Sequence, residues 1–144
     1  MRKVYLDAES LDLMLVPTQS EYEFVFIQTE GKCTANIKLK PQADSKFKVK
    51  IYIYTEGTSE VDCVCTLDVA KEVSGVETDI QFRSWPFDRS KIKARPEMFI
   101  RNSNIVATHG NALGAMNKED TYYLASRGIR DAKELIKQSL INAG

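Results

Sequence analysis

One histidine and three cysteines are the side chains of this sequence best suited to ligating a soft or borderline metal. His109 stands in VATHGNALG, at the apparent end of a strand-like run and directly before a glycine. A neutral imidazole there could ligate iron or relay a proton. It could equally be a turn histidine bonded to a backbone carbonyl. Cys63 and Cys65 stand in EVDCVCTLDV. In a strand, residues two apart point to the same side with Cα atoms about 6.5–7 Å apart. That lies at the edge of disulfide reach, yet two thiolates could hold one iron from a common face. Both cysteines are in phase with Val61, Leu67 and Val69, so they also read as small buried hydrophobes. Cys33 shares its phase with Ala35, Ile37 and Leu39 and reads as core. No Gly-rich phosphate loop of the Walker type is present. One histidine supports no convincing Ser-His-Asp or Cys-His-Asn set. The chain therefore reads as non-enzymatic.

Strands must position these residues. Alternation with period two runs through EYEFVFIQ, KCTANIKLK, KFKVKIYIY, EVDCVCTLDV and VETDIQFRS, giving each run one buried and one wet face. Cys33, Phe47, Val61 and Val76 open successive runs 14, 14 and 15 residues apart. PQADS, TEGTSE and EVSG fill the gaps with turn residues. The spacing suits a sandwich or barrel, and equally a solenoid in which two runs make one coil. LDLMLV reads as a buried strand or a helical turn, and PEMFIRN and SNIVATHG as two short strands.

After residue 116 the period changes. Asn117 can cap a helix over Lys118 to Arg127, with Glu119 and Asp120 at its positive end and Gly128 just beyond its last turn. A second helix is expected from Asp131 to Asn142. Its stripe would be Ala132, Leu135, Ile136, Leu140 and Ala143, with Ile141 on the opposite face. The 144 residues thus read as a single domain, a β body over 1–116 and a helical tail over 117–144.

The charge balance is even, 20 basic against 20 acidic, so nothing global points to nucleic acid or an anionic membrane. The lysines of KFKVKIYIY and KCTANIKLK fall on wet faces, where they could form a basic stripe but more simply keep a sheet soluble. No apolar run is long enough to span a bilayer. MRKVYLDAES has no apolar segment of the signal-peptide kind. With an odd number of cysteines, a reducing cytoplasm is the expected setting. Trp85, in SWPFD, reads as turn packing or as a partner anchor with Phe87.

From Arg95 to Gly144 the sequence resembles the C-terminal end of the SufB/SufD family, scaffolds of the SUF machinery for iron–sulfur cluster assembly. The resemblance rests on Pro96 and Met98 to Ile100, His109, Gly110 to Gly114, Tyr123-Leu124, Ser126-Arg127-Gly128 and the helix from Asp131. His-Gly followed by Leu113-Gly114 is closest to the SufD branch. Family members are several times longer, so this chain would be a short form. The resemblance implies a mainly β fold, a right-handed parallel β-helix followed by a two-helix subdomain. It implies a SufC-like ABC-type ATPase docked on the tail, and a SufB/SufD-like subunit, or a second copy of the chain, paired with the β-helix. It places His109 near that subunit interface and implies no stably bound cofactor, at most a transient iron–sulfur cluster. SufD-type sequences can carry a cysteine where Ala107 stands here. Tyr122, Tyr123, Arg127, Leu135, Ile136, Leu140 and Ile141 are the tail residues expected to meet a partner. The alternative is a β-solenoid or β-sandwich interaction module without cluster work.

Overall fold

A computed structural model describes residues 1–113 and 132–142. Among the described residues, nine strands and one helix follow in order: β1 (Arg2–Leu6), β2 (Ser10–Leu15), β3 (Glu21–Gln28), β4 (Lys32–Leu39), β5 (Lys46–Thr55), β6 (Glu60–Val69), β7 (Val76–Pro86), β8 (Lys91–Ile100), β9 (Ile105–Leu113) and α1 (Ala132–Asn142). The odd strands form one sheet, in the order β1-β3-β5-β7-β9, and the even strands β2-β4-β6-β8 form the other. Each strand crosses to the opposite sheet before the chain returns, and every pairing is parallel. The chain is therefore a parallel β-solenoid. Three full coils, β3–β4, β5–β6 and β7–β8, lie between a shorter β1–β2 coil and the lone β9. Parallel pairing excludes a sandwich of antiparallel sheets.

Successive strands of the odd sheet pair at offsets of 21, 27, 31 and 29 residues. A coil of variable length explains why the sequence shows alternation without a strict side-chain repeat. The inward positions of both sheets merge into one dry core, including Phe24, Phe26, Ile37, Phe47, Ile51, Leu67, Ile80 and Phe82. Each such side chain contributes roughly 1.5–3 kcal/mol by leaving water.

The corners from the odd to the even sheet stack on one another. Each holds one residue with left-handed backbone: Asp7 (φ 47°), Gly31 (71°), Gly57 (65°) and Asp88 (58°). Glycine has no Cβ to clash there, and aspartate tolerates the conformation by bonding nearby amides. The Asp7 carboxylate accepts from the Thr29 amide at 2.6 Å, and Asp88 from the Gly57 amide at 2.9 Å. The corner interior is polar but satisfied, with Thr55 and Ser90 hydroxyls 2.7 Å apart.

α1 returns to the outer face of the odd sheet. Ile136 and Leu140 are buried against Val25, Ile27 and Tyr54, with Ile141 packed alongside. Lys133 reaches Asp88 at 2.9 Å and Lys137 reaches Glu56 at 3.2 Å. The helix face toward the sheet is thus 133, 136, 137, 140 and 141. Ile136 and Leu140 of the expected stripe lie on this face, Leu135 is half-buried, and Lys137 joins the face with its ammonium at the corner. Ile141, expected on the opposite face, belongs to the packed one. The first tail helix expected over 118–127, with Tyr122, Tyr123 and Arg127, lies outside the described residues.

Two strand boundaries also differ from the sequence reading. β8 begins at Lys91 and runs through Pro96, and β9 continues four residues past His109. Gly110, expected to turn the chain, is mid-strand. A Cβ there would sit 2.2 Å from Oε1 of Gln81, so the glycine makes room for a side chain of the neighbouring strand.

Candidate functional site at the open end of the stack

The cysteines come from the even sheet. Cys63 and Cys65 on β6 point inward, beside Ala35 and Ile37 of β4 on one side and Ala94 and Pro96 of β8 on the other. Both are fully buried, as is Cys33. Alternation put them there, since Val61, Leu67 and Val69 occupy the same face. Burial pushes the Cys65 thiol up to about 12. It pushes Cys63 still higher, helped by the neighbouring Cys65 and Cys33 sulfurs. These are neutral thiols in a dry core, poor ligands for a metal while the fold is intact.

His109 sits elsewhere. It is on β9, paired in register with Ile80 of β7, and shares its phase with Ile105 and Ala107, which pack on the core. It therefore occupies an inward position of the last described strand of the odd sheet, yet its side chain is exposed. The reason is topological: β9 ends the odd sheet and β8 ends the even one, and among the described residues no strand covers either. Cys63 lies in the β5–β6 coil and His109 two strands farther along the stack, about 10 Å at the usual strand spacing. A metal ion bonds its ligands at 2.0–2.3 Å, so the cysteine pair and the histidine do not share one ion in this fold. Among the described residues no group of three or more His, Cys, Asp or Glu side chains is placed to hold a metal.

The next inward position on β9 after His109 is Asn111, whose Nδ2 donates to the Ala94 carbonyl of the facing sheet at 2.7 Å. Asn111 and Leu113 line a cleft of about 490 Å³ with Ser84, Ile92, Lys93 and Arg95. Sequence reading missed Asn111, although its phase with Ile105, Ala107 and His109 carried the signal.

The two edges at this end differ in kind. β8 presents Lys91, Lys93, Arg95, Pro96 and Glu97, residues that discourage further strand pairing. β9 has no lysine, arginine, aspartate, glutamate or proline over its nine residues. Its outward side chains include Val106, 60 % exposed, and Thr108, whose hydroxyl donates to Asp79 at 2.7 Å and holds that carboxyl below its usual range.

The lysines of β5 do not form a free basic stripe. Lys46 pairs with Glu77 and Lys50 with Glu21, while Lys48 lies in register between Glu21 and Asp79. No helix among the described residues is long and apolar enough to cross a membrane.

Of the tail residues expected to meet a partner, Ile136 and Leu140 face the chain's own sheet, Ile141 flanks them, and Leu135 is half-buried. The family model for the SufBD core domain of SUF system FeS cluster assembly matches residues 66–140. No curated protein matches the chain.

Proposed function

The chain belongs to the SufBD core family of the SUF iron–sulfur cluster assembly system, and from that premise we propose that it is a non-catalytic scaffold whose working surface is the open end of the stack. The observation that carries the proposal is β9: a long strand without charged guards, unpaired along one edge among the described residues, with His109 exposed at its centre. A strand of a SufB/SufD-like subunit, or β9 of a second copy, satisfies that edge by hydrogen bonding, the usual remedy for an open sheet edge. His109 then lies at the seam between subunits, where an imidazole can ligate a transient iron–sulfur cluster. A single histidine is too few ligands, so the partner supplies the rest.

The tail serves a SufC-like ABC-type ATPase in this reading. Because Ile136 and Leu140 hold α1 to the sheet, a docked helix offers the ATPase its other side, with Leu135, Gln138 and Asn142. The two-helix form of the tail and a right-handed coil belong to the same reading, the latter because parallel crossovers are nearly always right-handed. The cytoplasm is the setting the reading requires, since the core thiols are free.

Anaerobic incubation with ferrous iron, sulfide and the partner subunit tests it. The reading predicts a visible charge-transfer absorption that His109→Ala abolishes while the subunits still associate. Association without any cluster, in wild type and variant alike, would favour the second reading: a solenoid interaction module that has lost cluster work. That reading draws its support from the dry, neutral cysteines.

A further inference from the structure

α1 packs on the outer face of the odd sheet over Val25, Ile27 and Tyr54. Next to the helix lies a cleft of about 330 Å³, on the outer side of β7, whose inward Ser84 lines the cleft at the end of the stack. Two aromatic rings form its base: Tyr52 and Trp85, from neighbouring strands, with centroids 6.1 Å apart and planes tilted by 48°. Arg83, the register partner of Tyr52, lies with its guanidinium carbon 5.7 Å from the centre of the Trp85 ring. Ser139 and Leu140 of α1 make the opposite wall. At one end Arg2 pairs with the Glu23 carboxylate and donates to the Leu140 carbonyl, while its Nε is buried without an acceptor.

The charges are uneven. Glu23 neutralises Arg2, but among the described residues no carboxylate pairs with Arg83. The cleft thus combines flat apolar surface with an unmatched, fork-shaped donor on its rim. Its volume falls within the few-hundred-Å³ range of small-molecule sites, and its lining mixes the rings with charged groups. A guanidinium takes a carboxylate or phosphate with two parallel hydrogen bonds. We propose that this cleft is a binding site for a small aromatic molecule bearing an oxyanion, its ring against Tyr52 and Trp85 and its anion on Arg83. It is separate from the scaffold role and makes no use of His109. Since α1 is one wall, an occupied cleft favours the docked helix by mass action.

Trp85 is the only tryptophan in the chain, so intrinsic tryptophan emission reports this cleft alone. The probes are phenyl phosphate, benzoate and the uncharged benzyl alcohol, titrated into the intact protein. The proposal expects a saturable emission change with phenyl phosphate, benzoate or both, the stronger of the two identifying the favoured anion. Benzyl alcohol should bind at least about tenfold more weakly, and Arg83→Gln should weaken the anion by a similar factor. Arg83 is exposed, so the variant should fold, and an unchanged circular dichroism spectrum checks this. No saturable change with either anion, equal binding of benzyl alcohol, or full retention in a folded Arg83→Gln overturns the proposal.

Discussion

The Lys137 ammonium lies 3.2 Å from the Glu56 carboxylate, 81 residues earlier in the chain, and so ties the C-terminal helix to the corner between β5 and β6. The tie is one of several. Lys133 holds Asp88 at the next corner, and Arg2 caps the far end through the Leu140 carbonyl. Ion pairs this close to solvent contribute little each, less than about 1 kcal/mol. Most of the docking free energy comes from Ile136 and Leu140. Leu140→Ala should therefore loosen the helix by about 2 kcal/mol, near the low end for a core truncation. Lys137→Gln should loosen it by less than half of that. Amide exchange within α1 measures both, and a larger effect of the lysine change would contradict the assignment.

Acid should weaken the Lys133–Asp88 tie and the Glu134 contacts within the helix. The Asp88 carboxyl is held below its usual range by the Gly57 amide and Lys133, and Glu134 by Gln138 and Lys137. A carboxylate with a depressed folded pKa contributes stability that is fully present above its unfolded value, about 4, and is lost as pH falls through the folded value. Protection of α1 amides should hold from neutral pH down to about 5 and decline below about 4. Helix protection that declined between pH 7 and 6 would require a different titrating group.

Two glycines make opposite predictions. Gly75 has φ +74°, and a Cβ there would lie 2.3 Å from Oδ1 of Asp44. Gly75→Ala should cost about 1–3 kcal/mol, the range for a non-glycine forced into left-handed backbone. Gly110 is mid-strand, and the atom in the way belongs to the flexible end of exposed Gln81. Gly110→Ala should stay within about 0.5 kcal/mol, as surface changes without backbone strain usually do. Chemical denaturation of the two variants tests whether Gly110 accommodates a neighbour or turns the chain.

Cys33, Cys63 and Cys65 should all alkylate far more slowly in the folded protein than in denaturant. Burial raises the pKa of each thiol and denies the reagent access. Mass spectrometry after timed labelling gives the three rates separately. A single fast cysteine in the native state would mark an opening in the core that the present packing does not contain.

These contrasts also show what the chain discloses before it folds. Period-two alternation from Tyr22 to Phe82 announces strands and assigns their inward faces, because one face of each is dry and the other wet. Strand direction is not disclosed: Ile51 beside Phe82 is equally consistent with a hairpin or a coil until the connections are traced. β8 is obscured because Lys91, Lys93, Arg95 and Pro96 break the apolar impression, although Ile92, Ala94 and Met98 keep the phase. β1 is obscured because both of its faces are partly covered, Val4 by the helix cluster and Tyr5 by Phe26. The strand end expected at His109 was misplaced because Gly110 serves a contact with Gln81, 29 residues away in sequence but adjacent in the sheet. The Arg83 cleft has no local signal at all. It exists only where the outer faces of β1, β3, β5 and β7 meet the returning helix.

The central claim is that β9 completes its sheet with a strand from another subunit. Residue-resolved hydrogen exchange along Ile105–Leu113, for the chain alone and with an added SufB/SufD-like subunit, tests it most directly. Alone, the β9 amides bonded to β7 should be protected and those on the free edge should exchange quickly. In the assembly the free-edge amides should become protected as well. If the subunits associate and those amides continue to exchange as they do in the isolated chain, the partner docks elsewhere and His109 is not at the seam.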